Sequence, residues 1–388
     1  MRRALTLARR GSGKTAPNPM VGAVIADDSG AIIAEGYHKR AGAEHAETAA
    51  LKKAGKNARG KTLYVTLEPC NHQGRTPPCT DAILQSGIRR VVVAMPDPNP
   101  RVAGGGIQRL TDAGLEVAVG DGAQEAERLN QAFITWSRER RPYVVLKAAM
   151  TLDGKIASRT GESKYLTSEK ALAHAHALRR NCDAILVGSG TVLADDPWLT
   201  FRGRGRHRDP IRVILDSRGR IAPTAHVLND TSNAPTLLFT SESASVDWER
   251  DMFSARGEVV RVGTGVNGHV NLREVLEHLA DRHILSVLVE GGPSIHAAFI
   301  EAQLADVWIS YIAPLILGGT GAPSPVAGHG FALADARHLS IRRVLRRDPD
   351  LIIEADFLPK SPQMVPLLAQ KEIIPAELMP SAIEGDVS

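Results

Sequence analysis

Four residues in two short stretches carry the most legible chemistry of this chain. His45 and Glu47 stand in HAETAALKKA (45–54), and Cys70 and Cys79 in TLEPCNHQGRTPPCTDAI (66–83). One imidazole and two thiolates hold a tetrahedral zinc ion and leave its fourth position to water. Zinc lowers the pKa of bound water from about 15.7 to about 7, and a neighbouring carboxylate that is not a ligand takes the proton. This is the equipment for hydrolysing an exocyclic amine from a heterocyclic base, which zinc deaminases carry as H-x-E followed by P-C-x-x-C. Here eight residues (71–78), rather than two, separate the cysteines. His45 and Glu47 lie two apart at a predicted helix start, so both reach one point, one as ligand and one as proton shuttle. Cys79 falls in the first turn of the next predicted helix, where the helix dipole favours thiolate. Two other readings stay open: a closed structural zinc with His72 as fourth ligand, and a set of buried cysteines beside a surface His–Glu pair. Cys182, far along the chain, reads as a core thiol.

The elements that must position these groups alternate. Strands are expected at 21–28, 31–39, 61–69, 89–97 and 115–120. Helices begin at HAETAALKKA, at TPPCTDAILQSG (76–87, proline in its first turn and Gly87 past its end) and at IQRLTDAG. A helix over 125–140 closes this half, and the short linker 140–142 follows. A second series opens with YVVLKAAM and continues with strands at 184–192, 212–217, 236–240, 286–292 and 306–314, then a hairpin turning at Asp348-Pro349-Asp350. Alternation of this kind means α/β layers. EGGPSIHAA is strand, glycines, then helix; its bare amides suit a phosphate, or it is an ordinary strand–helix turn. It is not the G-x-G-x-x-G fingerprint of a Rossmann domain. GSGTVLADDP is a second glycine-rich turn with Thr191 and Asp195 ready to hydrogen-bond a cofactor, or else a helix stop. Gly11–Thr15 imitates a phosphate loop but has Ala8 where that motif needs glycine, and it reads as a solvated turn.

Composition narrows the class. The 388 residues are 43% hydrophobic with a net charge of +4, enough for two or three cores. No apolar run approaches the roughly 18 residues of a membrane span, so no membrane partner is expected. Three cysteines fit a reducing compartment rather than a disulfide framework. Aromatics at 4% make base-stacking platforms scarce; the mild positive charge then points to a phosphorylated small molecule or cofactor rather than to nucleic acid. The arginine-rich start has no acid before Asp27, as in a transit peptide. It also makes a short amphipathic helix, and the cytoplasmic reading is preferred.

HAE…TLEPCNHQGRTPPC, with PNPMVGAVI, EGYHKRAG and MPDPNPRVAGGGI, resembles the bifunctional deaminase–reductase family of riboflavin biosynthesis and differs from the tRNA and cytidine deaminases, which carry the short cysteine spacing. MTLDGKIA, GESKYLTS, VGSGTVLADDPWLT and VEGGPSIHAAF extend the resemblance through the second half, to about Leu358. It implies a cytidine-deaminase-like three-layer domain (1–142), a dihydrofolate-reductase-like α/β domain (143–358) and a loosely ordered tail (359–388). The implied reactions are zinc-dependent deamination of 2,5-diamino-6-(5-phosphoribosylamino)pyrimidin-4-one and NADPH-dependent reduction of its ribosyl group to ribityl. By resemblance His45, Cys70 and Cys79 bind zinc, Glu47 shuttles the proton, and Asn18, His38 and Arg75 face the pyrimidine substrate. The NADPH side comprises Ala149, Tyr165 (where family members often have tryptophan), Thr191, Asp195, Ser217 and the turn Gly292, Pro293, Ser294, Ile295, His296, Ala297 and Ala298. The second substrate side comprises Ser163, Arg179, Leu199, Arg202 and Glu290, with Lys147 and Glu290 polarising the ribose ring for opening. Reductases of this shape are often dimers, so a homo-oligomer is expected. The rival reading is a nucleic-acid or nucleoside base deaminase with an accessory binding domain, which predicts short cysteine spacing, aromatic stackers and a concentrated basic face.

Overall fold

The structure, a computed structural model, describes residues 1–72, 77–99, 103–203, 209–229, 232 and 234–359. Arg75 and nearly all of the expected tail lie outside the described residues.

The first half runs α1 (Arg2–Ala8), β1 (Gly22–Ala26), β2 (Ile32–Tyr37), α2 (Ala46–Ala54), β3 (Thr62–Val65), α3 (Cys79–Ser86), β4 (Arg90–Val93), α4 (Gly105–Asp112), β5 (Glu116–Val119), α5 (Ala123–Leu129) and α6 (Gln131–Glu139). Its sheet has the order β2-β1-β3-β4-β5. β1 is antiparallel to both neighbours, whereas β3, β4 and β5 are parallel. Alternate side chains of a strand face opposite sides. Ala23 and Ile25 therefore join Leu63, Val65, Val91 and Val93 in a core covered by Ala50 and Leu51 of α2, Ile83 of α3 and Leu110 of α4. Val24 faces Ala4 and Leu7 of α1 on the other side, completing three layers. The helix expected over 125–140 breaks at Asn130. The side chain of that residue accepts from Met20 N–H at 2.8 Å and donates to Met20 C=O at 3.1 Å, pinning the chain where a continuous helix would carry it past.

The second half runs β6 (Tyr143–Thr151), α7 (Glu169–Asn181), β7 (Ala184–Gly188), α8 (Ser189–Asp195), β8 (Ile211–Leu215), α9 (His226–Asn229), β9 (Thr236–Thr240), α10 (Val246–Ser254), β10 (Gly257–Arg261), α11 (Leu272–Asp281), β11 (Ser286–Val289), α12 (Pro293–Glu301), β12 (Val307–Ala313), β13 (Leu339–Arg347) and β14 (Asp350–Phe357). The sheet order is β10-β9-β8-β7-β11-β6-β12-β14-β13, parallel as far as β12 and closed by the antiparallel hairpin β13–β14. α11 and α12 cover one face through Val275, Leu276, Leu279, Phe299 and Ile300. α8, α9 and α10 cover the other through Val192, Val227, Leu228 and Met252. Each such fully buried aliphatic side chain stabilises the fold by about 1.5–3 kcal/mol. The strand expected over 184–192 ends at Gly188, and Ser189 begins a helix, so the glycine-rich turn is a strand–helix junction. β10, α7, α9, α10 and α11 were not read from the sequence.

The linker is held by charge. Arg141 makes a two-pronged pair with Asp306 at 2.7 and 2.8 Å, and Asp306 also accepts from Val144 N–H at 2.7 Å. Both side chains are largely buried, so removing one partner strands the other in low dielectric. Asp306→Ala is expected to destabilise the second half by about 3 kcal/mol, a fall of roughly 6–10 °C in its unfolding midpoint, measured by thermal melts followed by circular dichroism.

Candidate functional site

His45 is the N-cap of α2, Cys79 the first residue of α3, and Cys70 follows β3. Their ligand atoms lie within 4.8 Å of one another: His45 Nδ1 is 3.2 Å from Cys79 Sγ and 3.5 Å from Cys70 Sγ. Zinc bonds of about 2.0–2.3 Å in a tetrahedron set ligand atoms about 3.5 Å apart, so the donor set fits that ion. No fourth ligand joins the cluster among the described residues, and His72 is not part of it. The hydrogen bond with Cys79, helped by His45, draws the Cys70 thiol down to about 4 despite burial, while Cys79, bonded to that sulfur and itself buried, is pushed up. Glu47 is buried beside them, and burial raises its carboxyl. His38 Nδ1 lies 3.0 Å from Glu44 C=O and so carries the proton; Nε2 then accepts from Asn18 Nδ2 at 3.1 Å. Burial lowers the His38 pKa and keeps the ring neutral. Its ring meets His45 edge-on at 5.7 Å, so Asn18 and His38 border the metal centre.

Two cavities of the second half, among the described residues, hold expected site residues, and the larger opens at the C-terminal ends of β7, β8 and β11. The larger, about 900 Å³, is lined by Thr191, Ser217, Gly292, Ser294, Ile295, Ala297 and Ala298 of the expected cofactor set. Pro293 opens α12 beside it, and His296 turns inward, donating from Nδ1 to Pro325 C=O at 2.9 Å. The smaller, about 500 Å³, is lined by Tyr165, Arg202 and His176. Asp195 pairs with Lys164 at 3.0 Å, next to Tyr165, and does not line the larger cavity. Ser163 is exposed on the same loop, and Ala149 sits on β6 opposite Tyr311. Leu199 is buried in the core under α8 with a φ of 51°, so only its main chain is free to meet a ligand. Arg179 pairs with Glu290 at 2.8 and 3.2 Å and donates to Thr200 C=O. Burial alone would raise the Glu290 carboxyl; the charges of Arg179 and Lys147 overturn that and hold it at about 2. Lys147 Nζ lies 5.5 Å from the centre of the Tyr311 ring.

Residues 142–353 match the family model of the RibD C-terminal domain, and residues 1–95 that of the cytidine and deoxycytidylate deaminase zinc-binding region. The riboflavin biosynthesis protein RibD of Bacillus amyloliquefaciens is 46% identical over 92% of this chain and 95% of its own length. That of Escherichia coli K12 is 41% identical over 91% and 97%. The chain belongs to the RibD family. Among solved structures, Acinetobacter baumannii RibD is 36% identical with a TM-score of 0.83, covering 92% of this chain and 98% of that one. A Thermotoga maritima diaminohydroxyphosphoribosylaminopyrimidine deaminase/5-amino-6-(5-phosphoribosylamino)uracil reductase is 37% identical with a TM-score of 0.80, covering 92% and 97%. As a RibD-family protein it is a bifunctional deaminase and reductase of riboflavin biosynthesis, with zinc serving the first domain and NADPH the second. The reading as a nucleic-acid base deaminase is set aside. No described helix is long and apolar enough to cross a membrane.

Sequence reasoning missed the groups that hold this RibD-family site in place. Glu68, buried just before Pro69 and Cys70, accepts four main-chain N–H bonds: Oε1 from Gly106 and Ile107 at 2.8 and 3.1 Å, Oε2 from Asp97 and Gly104 at 3.0 and 2.9 Å. On the other side of Cys70, Asn71 Nδ2 donates to Gly105 C=O at 3.1 Å. A Cβ on Gly106 would lie 2.0 Å from Pro69 C=O, which is why glycine stands there. His176 was also missed. It lies three residues before Arg179 on α7, and its buried Nδ1 has no hydrogen-bond partner among the described residues; the helical spacing to Arg179 was the available signal. Glu68→Gln keeps the size but turns a donor amide toward two N–H groups. It is expected to weaken zinc binding about 10–100-fold, measured as zinc retained after dialysis against a chelator, with reductase activity preserved.

Proposed function

We propose that Glu47, Asn18 and His38 carry out deamination of 2,5-diamino-6-(5-phosphoribosylamino)pyrimidin-4-one in the first domain, and that Lys147, Glu290, Arg179 and Arg202 serve reduction of the deaminated product in the second. The observation that carries the reading is the convergence of His45, Cys70 and Cys79 beside a buried acid that has no place among the ligands. Zinc, when bound by those three residues, makes water nucleophilic near neutral pH. Glu47 takes a proton from the water and delivers it to the departing amine; its raised carboxyl suits both directions of transfer. Asn18 presents both donor and acceptor atoms to a pyrimidine edge. Neutral His38, with Nδ1 tied to Glu44, orients that amide through Nε2. Arg75 is retained as a phosphate partner.

In the second domain the larger cavity suits NADPH, with the α12 N-terminus facing a phosphate and Thr191 and Ser217 along its wall. NADPH supplies hydride when bound. Tyr165, Asp195 and Ala149 are kept on the cofactor side, with Tyr165 at the border of the smaller cavity. That cavity suits the phosphorylated sugar. Arg202 meets the phosphate, Ser163 and Leu199 are kept on the substrate side, and Lys147 with ionised Glu290 polarises the ribose for opening. We further propose the boundaries 1–142 and 143–358, a cytoplasmic location, and a homo-oligomer. The last is supported by the edge strand β13, where Ile341 and Val344 are 64% and 56% exposed.

Glu47→Gln is expected to cut ammonia release by about 10²–10⁴-fold while NADPH oxidation with supplied deaminated substrate stays normal. Unchanged ammonia release would remove Glu47 from the mechanism. Paired substitution Ile341→Glu with Val344→Glu is expected to lower the mass seen by sedimentation to that of one chain, with deamination intact.

A further inference from the structure

The larger cavity carries more positive charge than a dinucleotide pyrophosphate needs. Arg218, Arg220 and Arg273 line it, with His269, against one acid, Glu301. Glu301 is the last residue of α12, at the end away from the phosphate-facing turn. Arg220 is engaged: its Nη2 donates to Ser189 Oγ at 2.7 Å, in the glycine turn after β7. For Arg218 and Arg273 no side-chain hydrogen bond or ion pair is found among the described residues, and both are exposed to the cavity mouth.

Their place in the sheet separates them from the phosphate-facing turn. The α12 N-terminus follows β11, whereas Arg218 follows β8 and Arg273 belongs to the segment after β10. In the order β10-β9-β8-β7-β11, β8 is two strands from β11, which is about 10 Å at the usual strand spacing. The cavity therefore presents two anion-binding features, one built from amides over β11 and one from guanidinium groups over β8 and β10. The β8 end is shaped by Ser217, whose buried Oγ accepts from Val270 N–H at 3.0 Å and so joins the β8 turn to the 265–273 segment carrying His269 and Arg273.

We propose that Arg218 and Arg273 are the specificity-determining residues for the 2′-phosphate of the nicotinamide cofactor, selecting the phosphorylated over the unphosphorylated dinucleotide. The proposal rests on the reading of this cavity as the cofactor site. NADH carries the pyrophosphate but nothing to neutralise two further guanidinium groups; NADPH adds a dianionic group on the adenosine ribose. Guanidinium is suited to that group because its planar N–H pairs match phosphate oxygens in two-pronged fashion.

The test is equilibrium binding of NADP⁺ and NAD⁺ to the full chain, by calorimetry, for the wild type, Arg218→Gln, Arg273→Gln and the double variant. Each single change is expected to weaken NADP⁺ about tenfold and the pair more, with NAD⁺ affinity unchanged within about twofold on the same grounds, and with the salt dependence of NADP⁺ binding flattened. Circular-dichroism melts that match the wild type report that the variants are folded. Equal loss for both dinucleotides, or no loss for either, overturns the proposal while leaving the cavity as cofactor site. A wild type that binds neither dinucleotide overturns the cofactor reading and this proposal with it.

Discussion

Four main-chain N–H groups converge on one buried carboxylate, and the position of Cys70 depends on that convergence. Glu68 ends the β3 segment and gathers the amides of Asp97, Gly104, Gly106 and Ile107. Three of the four belong to the start of α4, where an anion is favoured by the helix dipole. The carboxylate thereby ties the segment after β4 to the segment after β3. Asn71 repeats the tie on the far side of Cys70, so the sulfur sits between two anchored residues. A zinc ligand held this way pays little conformational entropy when the metal binds. Cys79 and His45 need less help, because each sits at the first turn of a helix packed on the sheet.

The same geometric rule shapes both halves. Parallel strands deliver chain ends to one edge of a sheet, and the helices that follow start there with unpaired N–H groups. In the first half that edge collects two cysteine sulfurs, an imidazole and a carboxylate. In the second it collects glycine turns and arginines. The difference is one of side chains, not of architecture: anions where a dication is to be held, cations where phosphate is to be held. Within the second half, Glu290 is the exception that fits the rule. Surrounded by Arg179 and Lys147, it remains charged, and its pair with Arg179 holds that guanidinium in one orientation.

The parts of this design that were visible in the sequence are those encoded by contiguous pattern. His45, Glu47, Cys70 and Cys79 stand at strand–helix junctions, and the junctions follow from alternation and from proline and glycine signals such as Pro78 and Gly87. The hairpin at Asp348-Pro349 was legible for the same reason. What was hidden depends on partners distant in the chain. Asn130 breaks a helix because Met20 lies beside it. Glu68 looked like an ordinary strand-end acid because its partners, at 97–107, are backbone groups with no sequence signature. α7 was missed because its apolar face, Ala171 and Ala175, is made of small residues between histidines, which leave a weak period. Gly188 stands at the end of β7 where a Cβ would come within 3.1 Å of Ile295 of α12, a contact that no local pattern reports.

Charge gives the same lesson at the scale of the whole chain. A net charge of +4 suits a nucleic acid as well as a phosphorylated metabolite, and only the scarcity of aromatics tilts composition toward the metabolite. Placement decides. Arg218, Arg220 and Arg273 open onto one concave cavity, and Arg202 lines a second. Arg179 is turned inward on Glu290. A duplex or strand requires cations spread along a surface so that they track successive phosphates; cations gathered around one concave cavity meet one or two phosphates each. The phosphate groups of a small substrate and of a nucleotide cofactor satisfy that arrangement, and the zinc half then needs no basic groove of its own.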